Sequence, residues 1–393
     1  MVRFAENTAR RGGAFPDFSY ARTGTVRRLH RMAPGYAETP LYGLDALAAR
    51  LGVRAVLVKD ESPRFHLKAF KGLGGIYAMY RILCRELSLD PDEATLDALL
   101  RPPYAQRVRG MAFATTTDGN HGKGVSWAAG IFGCEAHVFM PRGSVEVRAQ
   151  AIRDAGGAEV TITDMRYDDC VAWTRDAARS RGWHLIQDTS WPGYEQVPLW
   201  IMQGYTTLFF EAVAQMRALG HARPTHILLQ AGVGSMAGAV AAAAMEAFPD
   251  APPVIAVVDP DAAACFYESF AAADGRAHEA GGSGETIMAG LNCAVPCSLA
   301  WDILSACAAG GFACGDEVTR RGMRLLGRPE GGDAPVVSGE SGAVTAGLLE
   351  RLMTDPACAG MRRALGLGGD SVVLLISTES DTDPENYKRV LAD

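Results

Sequence analysis

At 393 residues the chain can hold two core-sized units, and 48% hydrophobic with 21% charged residues is a globular composition. Thirty-eight basic against 45 acidic residues give a formal charge of −7 with no long single-sign run, which excludes nucleic acid and anionic membrane as expected partners. No uninterrupted apolar segment reaches the roughly 20 residues of a membrane span, and the opening MVRFAENTARRGG has no apolar leader core, so the expected location is cytoplasmic.

Residues Met1 to Arg31 show little periodicity, and Arg10-Arg11-Gly12-Gly13 reads as an exposed arm that wraps the fold or contacts a second subunit. Thr39-Pro40-Leu41 opens a new unit: a helix over Asp45 to Leu51, then the apolar strand Ala55-Val56-Leu57-Val58. Next comes KDESPRFHLKAFKGLGG, Lys59 to Gly75, which delivers Lys71 from an apolar neighbour, Phe70, onto a helix start. Ile76, Tyr77, Met79, Tyr80, Leu83 and Leu87 recur at the spacing of an amphipathic helix. An amine in a first turn sits among N–H groups that disfavour its charged form, and a lysine kept partly neutral can form a Schiff base. A surface lysine beside a glycine turn would look the same on this stretch alone.

Asp90 to Gln106, with prolines at 91, 102 and 103, reads as an insertion. Strands at Arg109–Ala114, Ala136–Met140 and Glu159–Thr163 then alternate with helices at His121–Phe132, Ser144–Ala155 and Tyr167–Ser180. A second series follows: helix Gln203–Leu219, strand His226–Gln230, helix Ser235–Ala247, strand Val254–Val258 and a last strand Val372–Ile376. Such alternation specifies α/β architecture with parallel sheets. We expect two of them, a small domain over 81–186 inserted into a large one built from 1–80 and 187–393.

Three stretches after strands carry chemistry. Thr115-Thr116-Thr117-Asp118-Gly119-Asn120-His121-Gly122 lies between a strand and a helix, where βαβ proteins bind ligands. The hydroxyls of Thr115, Thr116 and Thr117 with the glycine turn suit an α-carboxylate, and a plain N-cap accounts for only part of the string. Gln187-Asp188-Thr189-Ser190-Trp191 offers a second carboxylate, or a simple turn cap. Gly232-Val233-Gly234-Ser235-Met236-Ala237-Gly238 follows a strand and opens a helix, as a phosphate cradle does. With Asp259 after the next strand it also imitates a dinucleotide fingerprint, although the third glycine is one residue late. An NAD-dependent dehydrogenase is therefore a rival reading.

The lysine segment and the Asp118 string together resemble the diaminopropionate ammonia-lyase family, a branch of the fold type II pyridoxal phosphate (PLP) enzymes that includes tryptophan synthase β and threonine dehydratase. The resemblance runs from about Thr39 to Tyr387. It implies PLP as cofactor, an amino-acid substrate, a homodimer, and α,β-elimination of ammonia from D- or L-2,3-diaminopropionate to give pyruvate and ammonia. Lys71 would carry the cofactor, with Phe70 beside it and Asn120 on its phenolic oxygen. Asp118 and Asp188 would act as bases at Cα, the second lying where the chain returns to the larger sheet. The phosphate would rest on Gly232, Val233, Gly234, Ser235, Met236 and Ala237. Ser377, with Thr378 in reserve, would face the pyridine nitrogen.

Ile287–Cys293 and Ser338–Gly342 also resemble family signatures. His66 and Lys68 replace the family's usual glycine and asparagine, and Ser380 a glycine. The first two are close enough in sequence to reach a substrate pocket, so another β-leaving group such as hydroxyl stays open, as does a PLP-binding protein without turnover. The nine cysteines are odd in number and scattered, which argues against a secreted disulfide framework. Cys265 and Cys293 occupy positions where the family carries cysteine, which leaves a bridge between them open. Cys293 and Cys297 are spaced like half a metal site with nothing to complete it, so no metal is expected.

Overall fold

A computed structural model describes residues 2–392, and the chain divides into two compact units, Met1–Tyr20 with Glu38–Pro63 and Leu208–Asp393, and Ala21–Ala37 with Arg64–Thr207. In chain order the strands are β1 Val2–Glu6, β2 Leu41–Gly43, β3 Ala55–Asp60, β4 Ala112–Thr116, β5 Glu135–Met140, β6 Glu159–Ile162, β7 His184–Leu185, β8 His226–Gln230, β9 Val254–Pro260, β10 Gly310–Cys314 and β11 Val372–Ser377. The partition expected at residues 80 and 187 separates the strands by sheet, whereas compactness places 64–80 and 187–207 with the second unit.

The first unit holds a seven-stranded sheet in the order β1-β10-β9-β8-β11-β3-β2. Its five inner strands are parallel, and antiparallel β1 and β2 close the edges. Helices cover a sheet of this kind on both faces, so its inner strands read as unbroken apolar runs, as Val372–Ser377 does with every residue buried. Strand order reverses between β8 and β11, and in parallel sheets ligands bind at the carboxyl ends beside such a reversal. The Gly232 loop follows β8, and Ser377 ends β11.

The second unit repeats the device with four parallel strands ordered β6-β5-β4-β7. Here the reversal lies between β4 and β7. Asp118 follows the first and Asp188 the second.

Several expectations need correction. The supposed arm is partly structured: Val2–Glu6 pairs with β10, and Gly24–Met32 is a helix that buries Val26, Leu29 and His30, although Arg10 to Gly13 are exposed. The strand placed at Arg109–Ala114 begins only at Ala112, because Ala105–Arg109 is helical. The long helix begins at Gln196, since Pro198 lies in its first turn, where a missing N–H costs nothing. β7, two residues long, and β10, which opens on two glycines, carry too little pattern to be seen. Asp188 follows a strand of the four-stranded sheet and so does not lie at the return to the larger one.

Two helices fix the lysine in space. Gly75 on the helix Gly72–Leu87 meets Gly124 on the helix Asn120–Phe132 so closely that a Cβ on Gly75 would stand 3.0 Å from the Gly124 carbonyl oxygen. A Cβ on Gly124 would stand 2.9 Å from the carbonyl carbon and oxygen of Lys71. Backbone on backbone cannot yield as a side chain can. Just before them, His66 and Lys68 adopt left-handed backbone at φ 61° and 58°. That is why glycine and asparagine suit these positions, since each other residue type there costs on the order of 1 kcal/mol.

Gly124→Ala should lower stability by roughly 1–3 kcal/mol, seen as a reduced denaturant midpoint at unchanged slope, and should weaken cofactor retention through Lys71. His66→Gly and Lys68→Asn should each raise the midpoint modestly, with kcat/KM unchanged if the residues they replace serve the backbone and touch no substrate.

Candidate functional site

The stretch Lys59 to Lys71 contains three lysines, and the fold separates them. Lys59 is fully buried in β3, where its ammonium meets Glu211 Oε2 at 2.8 Å, the Thr39 carbonyl at 2.6 Å and Gln215 Oε1 at 3.0 Å. It is committed to the interior of the first unit. Lys68 is exposed, as is His66. Lys71 stands immediately before the helix Gly72–Leu87, its side chain one-fifth exposed, with Nζ 2.6 Å from Asp188 Oδ2. Phe70 is buried beside it, and its ring meets the edge of Tyr205 at 4.8 Å between centroids.

Asp188 is nearly buried. Burial raises its carboxyl, but the Lys71 ammonium, by charge and hydrogen bond, and any positive charge on His121 outweigh this and hold it below the usual carboxylate range. Asp118 behaves oppositely: burial and the neighbouring Asp188 charge raise it, Arg148 opposes them, and it stands at about 6. Two carboxyl groups of one sheet are thus poised differently, one ionised in an ion pair and one near the pH at which a general base works best. The coulombic coupling between them places both at the same strand ends. Asn120 begins the helix that follows, and His121 comes next, buried, with Nε2 2.9 Å from the Ile186 carbonyl oxygen.

The three threonines have other duties than the expected one. Thr115 and Thr116 are wholly buried; Thr115 Oγ1 lies 3.3 Å from Gln187 Oε1, and Thr116 Oγ1 2.8 Å from Thr174 Oγ1. Thr117 Oγ1 accepts the N–H groups of Gly119 and Gly122, both at 3.0 Å. Their hydroxyls build the strand end and its turn. Gln187 shares this work, clasping Thr116 by accepting its N–H at 3.0 Å and donating to its carbonyl at 3.2 Å. No local pattern assigns Gln187 this task, and nothing in the string marks Arg148.

In the first unit the loop Gly232 to Ala237 has the shape of an anion cradle. Gly234 has φ +90° and precedes the helix Ser235–Ala247, whose first turn directs N–H groups outward that no carbonyl of the same helix accepts. A Cβ on Gly232 would stand 2.8 Å from the Gly290 carbonyl oxygen and 3.1 Å from Cys293 Sγ, and one on Gly234 only 2.2 Å from the Phe266 ring. Val233 is fixed through its carbonyl by the Cys297 N–H at 2.8 Å. Ser235, Met236 and Ala237 are buried.

Ser377 is buried at the end of β11 with Oγ 2.9 Å from Ser338 Oγ, and Thr378 follows it, also buried. The segments Ile287–Cys293 and Ser338–Gly342 close on this strand end: Gly290 N–H donates to Ser341 Oγ at 3.2 Å, and Ser341 N–H to Glu379 Oε1 at 3.1 Å. Cys265 and Cys293 are unbridged thiols.

The rival acid is placed against its role. Asp259 is buried within β9, and its Oδ2 accepts the Tyr267 N–H at 2.9 Å. Burial pushes its carboxyl well above the usual range. A carboxyl buried in the sheet and engaged by the Tyr267 N–H is a poor partner for a ribose, so the dinucleotide reading loses its distinguishing residue. A glycine cradle and a buried serine hydroxyl in the first unit, and a lysine in the second, are the kinds of group that a phosphorylated pyridine aldehyde requires, so the residues present fit PLP by their chemistry. No group of three or more metal-ligating side chains occurs among the described residues, nor any helix long and apolar enough to cross a membrane.

Comparison with known proteins agrees with this donor set. The family of pyridoxal-phosphate dependent enzymes matches the chain over residues 32–378. The chain is 45% identical over 390 residues to diaminopropionate ammonia-lyase of Escherichia coli K12, covering 99% of this chain and 96% of that protein. It is 42% identical over 396 residues to diaminopropionate ammonia-lyase of Salmonella typhimurium LT2, covering 100% and 98%. The crystal structure of the Escherichia coli lyase in complex with an aminoacrylate-PLP azomethine reaction intermediate superposes with a TM-score of 0.91 at 44% identity, covering 100% of this chain and 97% of that one. The architecture is that of fold type II, as expected. The chain belongs to the pyridoxal-phosphate dependent enzymes and, within them, to the diaminopropionate ammonia-lyase family.

Proposed function

We propose that the chain catalyses α,β-elimination of ammonia from 2,3-diaminopropionate, giving pyruvate and, in all, two molecules of ammonia. The observation that carries this reading is the Lys71–Asp188 ion pair at 2.6 Å, with the differently poised Asp118 coupled to it, in a chain similar to the ammonia-lyases over its full length. Bound PLP supplies an aldehyde that captures an amine and a ring that accepts the electron pair left at Cα. Lys71 is the amine that holds this group, with Phe70 beside it and Asn120 toward its phenolic oxygen. Gly232 to Ala237 hold its phosphate, and Ser377, or Thr378, meets its ring nitrogen. A hydroxyl there leaves the nitrogen neutral, which favours expulsion of a β-substituent over slower transamination.

Asp118 takes the Cα proton of the D enantiomer and Asp188 that of the L enantiomer. The β-amine leaves, and the released 2-aminoacrylate hydrolyses to pyruvate and the second ammonia. His66 and Lys68 supported a different leaving group only while they counted as pocket residues. Both are exposed and in left-handed backbone, so no observation of theirs favours a different leaving group. The family resemblance further supports a cytoplasmic homodimer.

Borohydride reduction followed by peptide mapping should place the pyridoxyl group on Lys71, and Lys71→Ala should stay folded while losing both the label and turnover. A label on Lys59 or Lys68 would show that the assignment of the lysine is wrong.

Asp118 must be ionised to accept a proton. For the D enantiomer kcat/KM should therefore rise as pH increases through about 6, the value at which the Asp118 carboxyl stands, and Arg148→Gln should move that limb upward by removing a cation that favours the ionised form. Asp118→Asn and Asp188→Asn should cost on the order of 10² to 10⁴ in rate, each for one enantiomer. Equal losses for both enantiomers in both variants would sink the assignment of two bases.

A further inference from the structure

The ion pair of the second unit has a neighbour to which the reading above gives no task. His121 is 5% exposed and packed at the start of its helix. Its Nε2 faces a carbonyl oxygen, which only accepts, so the ring carries its proton on Nε2 and donates it to Ile186 at 2.9 Å. Nδ1 is then a bare lone pair. It has no hydrogen-bond partner in the structure and stands 3.8 Å from Asp188 Oδ2. A buried acceptor without a donor is destabilising, and this one faces an oxygen that has no proton to give while Asp188 is ionised.

We propose that His121 Nδ1 is a positioning acceptor for the proton that Asp188 takes from the L substrate, an inference that rests on the role of Asp188 given above. In the resting pair Oδ2 is held by Lys71. When Oδ2 takes the Cα proton, the C–H electron pair stays with the substrate, and the carboxyl gains an O–H. Closing the gap by about an ångström turns that O–H into an ordinary hydrogen bond to Nδ1. Two facing lone pairs repel before the transfer and share a proton after it, so the contact favours the protonated acid over the resting carboxylate. That difference accelerates a proton transfer, whereas a contact equal in both states would not.

The surroundings keep the imidazole in the form this requires. The titratable groups that face His121 and Asp188 are Lys71 at the helix start, Asp118 beyond β4, the half-buried Tyr194 and the buried Tyr205. Burial lowers the His121 pKa, and the Lys71 charge adds to this against the opposing Asp188. Burial raises both tyrosines, so neither is a competing base.

Two substitutions separate the two nitrogens. His121→Gln keeps an N–H near Nε2 for Ile186 and removes the acceptor, whereas His121→Asn puts an oxygen near Nδ1 and removes the donor. The Gln variant should lose about tenfold in kcat/KM for L-diaminopropionate, the worth of one hydrogen bond. Its acid limb should move to lower pH, the D enantiomer should be far less affected, and the Asn variant should recover L turnover. A second readout needs no turnover: ¹⁵N NMR of histidine-labelled, cofactor-free protein should show Nδ1 of His121 bare in the wild type and hydrogen-bonded in Asp188→Asn, whose amide can donate to it. Loss of L turnover in Asp188→Asn with unchanged L turnover in His121→Gln, or an Nδ1 signal indifferent to residue 188, overturns this inference alone. Unchanged L turnover in Asp188→Asn overturns the base assignment and this inference with it.

Discussion

An ammonium and a carboxylate held 2.6 Å apart, one mostly and one almost wholly out of water, make a demanding arrangement. Neither charge is stable there without the other, since an unpaired buried charge costs several kcal/mol. The pair therefore dictates what surrounds it. Lys71 is pinned through its own backbone by the glycine contact between two helices, and Asp188 is carried on the strand next to the one that carries Asp118. Taking the lysine away would leave Asp188 without the charge and hydrogen bond that help hold its carboxyl low. On the role proposed above, the two members of the pair are therefore linked: what changes one changes the basicity of the other.

The rest of the site follows from where parallel sheets change direction. Each unit carries one reversal of strand order, between β8 and β11 in one and between β4 and β7 in the other, and the residues assigned to chemistry lie at the carboxyl ends beside them. Fold-level placement explains why these loops bind ligands. The identities of their residues explain which ligand: a lysine, two unlike carboxyls, a cradle too tight for any Cβ, and a hydroxyl in place of an acid at the end of β11.

Much of this was legible in the sequence because the informative residues are local. Lys71 was singled out by Phe70 and the glycines that follow it only once the family resemblance was added, and the Gly232 loop by its position between a strand and a helix. Buried parallel strands such as β8, β9 and β11 are apolar throughout and announce themselves. What escaped was non-local or too short. β7 has two residues, β10 begins with two glycines, and β1 alternates weakly because only its pairing with β10 gives it a sheet to belong to. The threonine hydroxyls have partners, Gln187 and Thr174, that arrive from about 60 to 70 residues away and that no local pattern shows. The positive φ angles of His66 and Lys68 are likewise invisible in the string. Arg148 and His121 come beside the two carboxyls only through the fold, and no spacing rule reveals either.

The order of strands in the larger sheet also bears on the birth of the molecule. As the chain leaves the ribosome, the four strands of the second unit emerge within one continuous stretch and can pair by the time Thr207 is out. β3 has no such opportunity. It is among the first strands made, yet its inner neighbour is β11, and their register runs from Ala55 with Val372 to Asp60 with Ser377. Until β11 has been made, β3 has one edge unmet, and contacts of such long separation form slowly. A nascent chain can therefore fold its lysine and both carboxyls well before the sheet that bears the Gly232 cradle is complete. Completion of the larger sheet waits on β11, and a chain that stopped short of it would lack the strand that joins the two sides of that sheet.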